Sequence, residues 1–140
     1  MEVDIRLSCA DVSWCDVVDI LKSTGMAYTT PEVHQKAFAA SFATVFAWHA
    51  GQLIGFGRAI SDGIYQAALY DVAVLPPYQG KGVGATIVQH LLAKLPGCNV
   101  ILYASPGKEG FYATLGFRPM KTGMAMFKNP EQMAARGFTY

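Results

Sequence analysis

The run from Gln79 to Ala85 carries three glycines, Gly80, Gly82 and Gly84, and lies between a strand pattern and a helix pattern. Backbone amides at such a helix start, freed of side-chain bulk, form a concave donor surface that the positive end of the helix dipole complements. This arrangement predicts binding of a phosphate or pyrophosphate. A tight strand-to-helix connection remains the alternative, because glycine also serves that purpose.

Two common nucleotide-binding motifs are absent from the run. Lys81 lies between the glycines and no Gly-Lys-Ser/Thr follows, so the run is not a Walker loop. The GxGxxG spacing of dinucleotide-binding folds is missing as well. A different kind of pyrophosphate ligand is therefore expected.

Composition limits the remaining possibilities. The chain has 140 residues, 52% of them hydrophobic and 15% charged, which predicts a single domain over 1–140 with one core. Eleven Lys and Arg against ten Asp and Glu give a net charge of +1, which argues against nucleic acid as a partner. No apolar stretch approaches the roughly 20 residues of a membrane helix, and the start does not read as a signal peptide. We therefore expect no membrane partner and a cytoplasmic location.

The three cysteines, Cys9, Cys15 and Cys98, show neither CxxC spacing nor a nearby histidine pair. Neither a disulfide framework nor a zinc site is indicated by this pattern. We expect reduced thiols and no metal.

Hydrophobic periodicity predicts the elements that position the glycine run. In chain order they are a strand over 3–7, helices from 11 or 13 to 24 and from 31 to 40, strands over 42–48, 52–60 and 64–75, a helix over 83–95, a strand over 99–104, a short helix over 108–115 and a final strand over 117–127. The apolar run over 99–104 is typical of a buried strand paired on both sides. The tail from 129 is expected to add a helical turn or to lie on the surface. Together, these predicted helices and strands indicate an α+β domain.

The segment from Val72 to Gly84, VAVLPPYQGKGVG, resembles the acetyl-CoA signature of the GCN5-related N-acetyltransferase (GNAT) family. That signature is written Q/R-x-x-G-x-G/A after a strand ending in V-x-P, and Gln79, Gly82 and Gly84 match its fixed positions. Farther along, GFYATLGF from Gly110 to Phe117 is similar to the F-Y-x-x-x-G-F junction of the family. The resemblance implies a single GNAT-like domain with about four helices and a mixed, mostly antiparallel sheet that is split between its fourth and fifth strands.

The resemblance also implies acetyl-CoA as co-substrate, with its pantetheine arm in the split beside the fourth strand, 70–75. An N–H near Val72 would then polarise the thioester carbonyl and stabilise the oxyanion, an effect worth about 3 kcal/mol for a well-placed donor. The residues expected to bind the cofactor are Val72, Ala73, Val74, Gln79, Gly80, Lys81, Gly82, Val83, Gly84, Ala85 and Tyr112.

Three side chains are candidates for proton transfer. Tyr112 resembles the general acid of the family, and its alternative role is packing with its hydroxyl bound to the backbone. Asp71 is a candidate base that would act through water. The alternative interpretation is a solvated or ion-paired carboxylate without a catalytic role. Some members of the family carry a glutamate as base at the position that aligns with Ala68. Because alanine cannot accept a proton, a mechanism without a dedicated base is a further alternative. His34 is a candidate base because the ordinary pKa of histidine suits proton removal at neutral pH. The alternative interpretation is a histidine on the surface or on a helix face, without a catalytic role.

The resemblance places the acceptor pocket among the first two helices, the third to fifth strands and the last hairpin. Candidate acceptor-binding residues there are Tyr28, His34, Trp48, Tyr65 and Tyr103, which would otherwise fill the core. Aromatic groups with few carboxylates favour a small primary amine with an apolar or aryl portion. The alternatives are a protein lysine or N-terminal acetyltransferase and a non-catalytic acyl-CoA-binding sensor. Exposed sheet edges of this fold often pair between subunits, so a homodimer is compatible with the sequence.

Overall fold

The computed structural model describes all 140 residues, which form two compact units, 1–102 and 103–140. The larger unit contains the sheet and three α-helices, and the smaller unit contains two short α-helices. The single domain expected over 1–140 stays a prediction. No helix combines the length and the apolar character needed to cross a membrane.

The elements follow one another in nearly the predicted order. In the larger unit they are β1 (Asp4–Arg6), α1 (Trp14–Ser23), α2 (Pro31–Ala39), β2 (Ala43–His49), β3 (Gln52–Ser61), β4 (Gln66–Val74), a 3₁₀ turn (Pro76–Tyr78), α3 (Val83–Ala93) and β5 (Asn99–Ile101). In the smaller unit they are α4 (Glu109–Thr114) and α5 (Pro130–Ala135).

The sheet has the order β1-β2-β3-β4-β5. Its first four strands are antiparallel, and β5 runs parallel to β4 over the three pairs that join 66–68 to 99–101. The expected α+β class with a mixed, mostly antiparallel sheet is therefore confirmed. The structure has five α-helices where about four were expected.

Local chemistry sets the starts of the first two helices. The Ser13 side chain accepts a hydrogen bond from the Asp16 amide at the start of α1. The Thr30 side chain does the same for the Val33 amide, with Pro31 in the first turn of α2. Both caps satisfy amides that a helix start leaves unpaired, so the helices begin where the sequence predicted.

Two layers of helix cover the sheet of the larger unit. Phe46 and Phe56 belong to the buried cluster that α1 and α2 form with one sheet face, where Phe38 from α2 is also buried. Side chains alternate along a strand, so Gly55 and Gly57 lie on the opposite face. There the α3 side chain of Ile87 comes within 3.1 Å of the position that a Cβ of Gly55 would occupy.

Two predictions about strands were wrong. The strand expected over 99–104 is confined to Asn99–Ile101, pairs only with β4 and leaves Ile101 51% exposed, so it is a sheet edge and not a buried strand. The strand expected over 117–127 does not form. Pro119 and Gly123 interrupt that segment, and proline cannot donate to a strand ladder.

The strand expected over 64–75 begins two residues later, at Gln66. The Asp62 carboxylate accepts hydrogen bonds from the amides of Ile64, Tyr65 and Gln66. These three bonds hold the chain in a turn, and they lower the pKa of Asp62. The predicted helical turn in the tail is confirmed by α5.

Candidate functional site

The glycine run turns the chain from β4 into α3. Gly80 and Gly82 have φ of +75° and +85°, in the left-handed region that glycine adopts readily. The Thr86 amide donates to the Gly82 carbonyl, so the amides of the first turn, Val83 to Ala85, have no helix carbonyl to bind. A Cβ built at Gly82 would meet nothing within 4 Å, so the space beside it is open. The structure thus forms a concave donor surface, and its pyrophosphate ligand stays a prediction.

Side-chain contacts fix the run to the sheet. Gln79 Nε2 donates to the Val74 carbonyl at 2.8 Å, at the end of β4. The Tyr78 hydroxyl donates to Gln52 Oε1 at 3.4 Å, and Lys81 Nζ lies 5.9 Å from the centre of the Tyr78 ring. A cleft of about 550 Å³ opens beside the run, lined by Met1, Val3, Ile5, Lys81, Gly82, Val83 and Thr86.

The second half of β4 has an open side. β5 ends at Ile101, opposite Ala68, so beyond Ala68 no strand pairs with β4 on that side. The Leu75 amide donates to the Ile54 carbonyl, and the main-chain groups of successive residues point to opposite sides of a strand. The N–H and C=O of Val74 therefore point away from β3. The expected split between the fourth and fifth strands is present.

A β-bulge interrupts β4 beside this opening. Phe56 pairs with Ala73 and Arg58 pairs with Tyr70, so both Asp71 and Val72 lie opposite Gly57. Asp71 has a φ of +56°, which is uncommon for a residue other than glycine. The bulge reorients the chain at the position where the sequence predicted the oxyanion donor, Val72.

The Asp71 carboxylate is ion-paired. Arg58 Nε donates to Asp71 Oδ2 at 2.7 Å, and the two side chains are only 16% and 22% exposed. Arg58 Nη1 also donates to Ser41 Oγ at 3.4 Å. The guanidinium carbon lies 5.7 Å from the centre of the Phe38 ring and 5.4 Å from that of Tyr70. The ion-paired alternative for Asp71 is therefore observed, and its role as a base stays a prediction.

His34 lies in α2 and is buried, with 6% of its surface exposed, so the alternative of a surface histidine was wrong and its place on a helix was predicted correctly. Its Nε2 accepts a hydrogen bond from the Thr29 amide at 2.9 Å. A backbone amide can only donate, so Nε2 carries no proton and the ring is neutral. Burial lowers the pKa of His34, the charge of Asp71 opposes that shift and the charge of Arg58 adds to it.

Tyr112 belongs to α4 in the smaller unit. Its ring centre lies 4.9 Å from that of Phe111 and 5.8 Å from that of Phe117. Burial raises the pKa of Tyr112, so its phenol holds a proton at neutral pH. The alternative in which the hydroxyl binds the backbone is not observed, because the side-chain hydrogen bonds of this unit do not include the Tyr112 hydroxyl. Its role as proton donor stays a prediction.

The acceptor residues predicted from the sequence fall in different places. Trp48 is buried in the cluster beneath α1 and α2, and its Nε1 has no hydrogen-bond partner. Tyr28 is exposed between these helices, with Lys22 Nζ 4.9 Å from its ring centre. Tyr65 lies in the hairpin before β4, and Tyr103 lies in the smaller unit. The larger unit thus brings His34 and Trp48 to one face of the sheet, and Tyr65 is at the end of β4 away from the glycine run.

Arg58 was not predicted from the sequence. Arg58 is the only charged residue in the strand Gln52–Ser61, which could have indicated a special role. Its partner, Asp71, lies at a bulge in β4 that the sequence pattern does not reveal. No group of three or more His, Cys, Asp and Glu side chains could hold a metal ion.

Comparisons with known proteins identify a family. A family model described as an acetyltransferase (GNAT) domain matches residues 41–119, more than half of the 140 residues. Serotonin N-acetyltransferase 2, chloroplastic, from rice (Oryza sativa subsp. japonica) is 39% identical over 90 residues, which are 60% of this chain and 45% of that protein. An uncharacterized ycf52-like N-acetyltransferase from Prochlorococcus marinus is 32% identical over 109 residues, 73% of this chain and 61% of that protein.

A solved structure shares the fold. The crystal structure of a probable acetyltransferase of unknown function from meticillin-resistant Staphylococcus aureus superposes with a TM-score of 0.80 and 26% sequence identity. The match covers 90% of this chain and 98% of that one. The chain spans less than two thirds of the length of the rice and Prochlorococcus relatives.

Proposed function

Because this chain belongs to the GNAT acetyltransferase family, we propose that it transfers an acetyl group from acetyl-CoA to the primary amine of a small molecule. One observation carries the proposal. A strand with an open side, β4, leads directly into a glycine run whose helix-start amides are unpaired. Such a strand and such a donor surface suit the two polar parts of the coenzyme, its pantetheine amides and its pyrophosphate.

The cofactor contacts follow from the direction of these groups. The Val74 N–H points away from β3 and is available to a pantetheine carbonyl, because β5 does not cover it. The Val74 carbonyl already accepts from Gln79. The Gln79 amide was also expected to bind the pyrophosphate, but it already donates to the Pro76 carbonyl. The amides from Gly80 to Ala85 would donate to the pyrophosphate, and Lys81 adds a positive charge nearby. Val72 would contact the arm through its main-chain amide, whereas the N–H and C=O of Ala73 point towards β3 and are not available to the arm.

Acetyl transfer then needs three events at the thioester. A neutral amine attacks the carbonyl carbon, a C–N bond forms and the carbonyl oxygen becomes an oxyanion that the Val72 amide stabilises. The C–S bond breaks, and the Tyr112 phenol donates its proton to the departing thiolate. The surplus proton of the nitrogen leaves to Asp71 through water or to the solvent directly, and a proton from the solvent restores the Tyr112 phenol.

The acceptor we propose is a small primary amine with an apolar or aryl portion. The residues predicted to bind the acceptor support it, because they include aromatic side chains such as Tyr28 and Trp48 and no carboxylate. The rice relative is named for serotonin, an amine with an aryl portion. An acceptor site without carboxylates would disfavour strongly cationic peptides, which need carboxylates for recognition.

A CoA-release assay tests the function. Purified protein is given acetyl-CoA and, separately, a panel of aryl and alkyl amines, polyamines, and lysine or N-terminal peptides, with the acetylated product identified by mass. Turnover of the apolar and aryl amines is expected. Turnover of peptides alone would replace the proposal with a protein acetyltransferase, and binding of CoA without turnover of any acceptor would replace it with a sensor.

A further inference from the structure

Arg58 is held more firmly than a surface arginine of a strand. Its guanidinium contacts the Asp71 carboxylate, the Ser41 hydroxyl and the rings of Phe38 and Tyr70. Its side chain is 16% exposed. A charge with so little access to water needs its partner, so the Arg58–Asp71 pair fixes the relative position of β3 and β4.

Asp71 adopts a conformation that needs support. Its φ of +56° brings Cβ close to the following carbonyl oxygen, which disfavours this conformation in residues other than glycine. Asp71 is also the first of the two bulge residues, Asp71 and Val72, that lie opposite Gly57. The peptide plane between these two residues carries the Val72 N–H, so the dihedral angles of Asp71 set the direction of that N–H.

We propose that Arg58 is a positioning residue for acetyl transfer, which holds the β4 bulge through its ion pair with Asp71 and so fixes the direction of the Val72 amide. The inference rests on the proposed function, in which that amide stabilises the oxyanion. Arg58 acts through Asp71 and does not touch the thioester. The neutral His34 beside the pair adds no competing positive charge.

The decisive variant is Arg58→Met, which removes the charge and the hydrogen bonds and keeps an apolar chain against Phe38 and Tyr70. We expect kcat to fall at least about tenfold, since loss of one oxyanion donor costs about 10²- to 10³-fold. The KM for acetyl-CoA and the Kd of CoA should stay within about threefold. Arg58→Lys keeps the charge without the planar fork and should recover part of the kcat.

The matched control is Arg6→Met. Arg6 also pairs with an aspartate, Asp4, at 2.8 Å and lies 4.6 Å from the centre of the Trp48 ring, but this pair is exposed and far along the sheet from β4. Arg6→Met should leave kcat within about twofold. A purely structural role of Arg58 would lower the melting temperature and leave the kcat of the folded protein unchanged, and that result would overturn the inference.

The Asp71→Gly background separates the effect of Arg58 on the bulge from any effect that Arg58 has by another route. Glycine adopts positive φ without support, so Arg58→Met should cost less than about threefold in kcat when it is made in the Asp71→Gly background. The same loss in both backgrounds would mean that Arg58 acts independently of the bulge, and would overturn the inference.

The two proposals can fail separately. If the wild type acetylates an amine and Arg58→Met lowers kcat by less than about tenfold, Arg58 has no positioning role and the proposed function stands. If the wild type acetylates no acceptor, the proposed function fails, and NMR backbone chemical shifts over 70–73 decide whether Arg58 holds the bulge. Loss of the positive-φ signature of Asp71 in Arg58→Met would support the holding, and unchanged shifts would overturn it.

Discussion

At the scale of single residues, burial sets the proton state of two candidate groups. Tyr112 has a raised pKa and keeps its phenolic proton, as a proton donor must. His34 has a lowered pKa and stays neutral because the Thr29 amide occupies Nε2. The two shifts have one cause, since burial disfavours the charged form of each side chain.

Tyr112→Phe tests the proton donor. The change removes the hydroxyl and keeps the ring contacts with Phe111 and Phe117, so stability should change little. With saturating substrates kcat should fall by about 10²-fold, the usual contribution of general acid catalysis. Tyr140→Phe, at an exposed tyrosine, is the matched control. A loss of less than about threefold in Tyr112→Phe would exclude the general-acid role.

His34 makes stability depend on pH. The unfolded chain binds a proton at this histidine near its ordinary pKa of 6.5, whereas the folded state binds it only at lower pH. Below about pH 6.5 the unfolded state therefore holds more protons, and the free energy of unfolding should fall as the pH decreases. Denaturant unfolding of the wild type at pH 7.5 and 5.0 measures this difference.

His34→Gln removes the titration and keeps an acceptor for the Thr29 amide. The variant should lose less stability between pH 7.5 and 5.0 than the wild type does. His90→Gln, on the exposed side of α3, is the matched control. Equal losses in the wild type and His34→Gln would show that His34 does not cause the pH dependence.

At the scale of elements, the close packing of β3 against β4 and α3 depends on two glycines. A Cβ at Gly55 would lie 2.9 Å from the Ala73 carbonyl oxygen, and one at Gly57 would lie 3.0 Å from Ile87 Cγ2. The Ala73 carbonyl oxygen belongs to the backbone, so it cannot move away without shifting β4. The sequence pattern alone did not reveal this need, because it depends on the pairing of β3 with β4.

Gly55→Ala should lower the free energy of unfolding by about 1–3 kcal/mol, the usual cost of overpacking a core. Chemical denaturation measures the change. The control is Gly110→Ala in α4, where a Cβ meets nothing within 4 Å and alanine favours the helix. A Gly55→Ala protein as stable as the wild type would contradict the close approach of β3 and β4.

Much of the fold could be predicted from the sequence because its signals are local. The caps at Ser13 and Thr30 and the glycines around α3 depend on a few neighbouring residues. The bulge at Asp71 and its pairing with Arg58 could not be predicted, because a one-residue shift in register depends on the partner strand. The apolar pattern over 117–127 suggested a strand that Pro119 and Gly123 interrupt.

At the scale of the whole molecule, the larger unit places β4 between two helix layers and ends it at the glycine run. The split beside β4 and the donor surface at α3 are consecutive in the chain, so one ligand can engage both. Ligand binding to the folded state then stabilises it, by about 2.7 kcal/mol at a ligand concentration 100 times the Kd. A rise in melting temperature with increasing CoA is the expected result, with adenosine as the control ligand.

The measurement closest to the central claim is a calorimetric titration of CoA into the folded protein. Saturable heat with one CoA bound per chain is expected, and much weaker heat with adenosine, which lacks both the pyrophosphate and the pantetheine arm. The absence of heat with CoA, from protein shown to be folded, would contradict the assignment of the glycine run and the open side of β4 to this coenzyme.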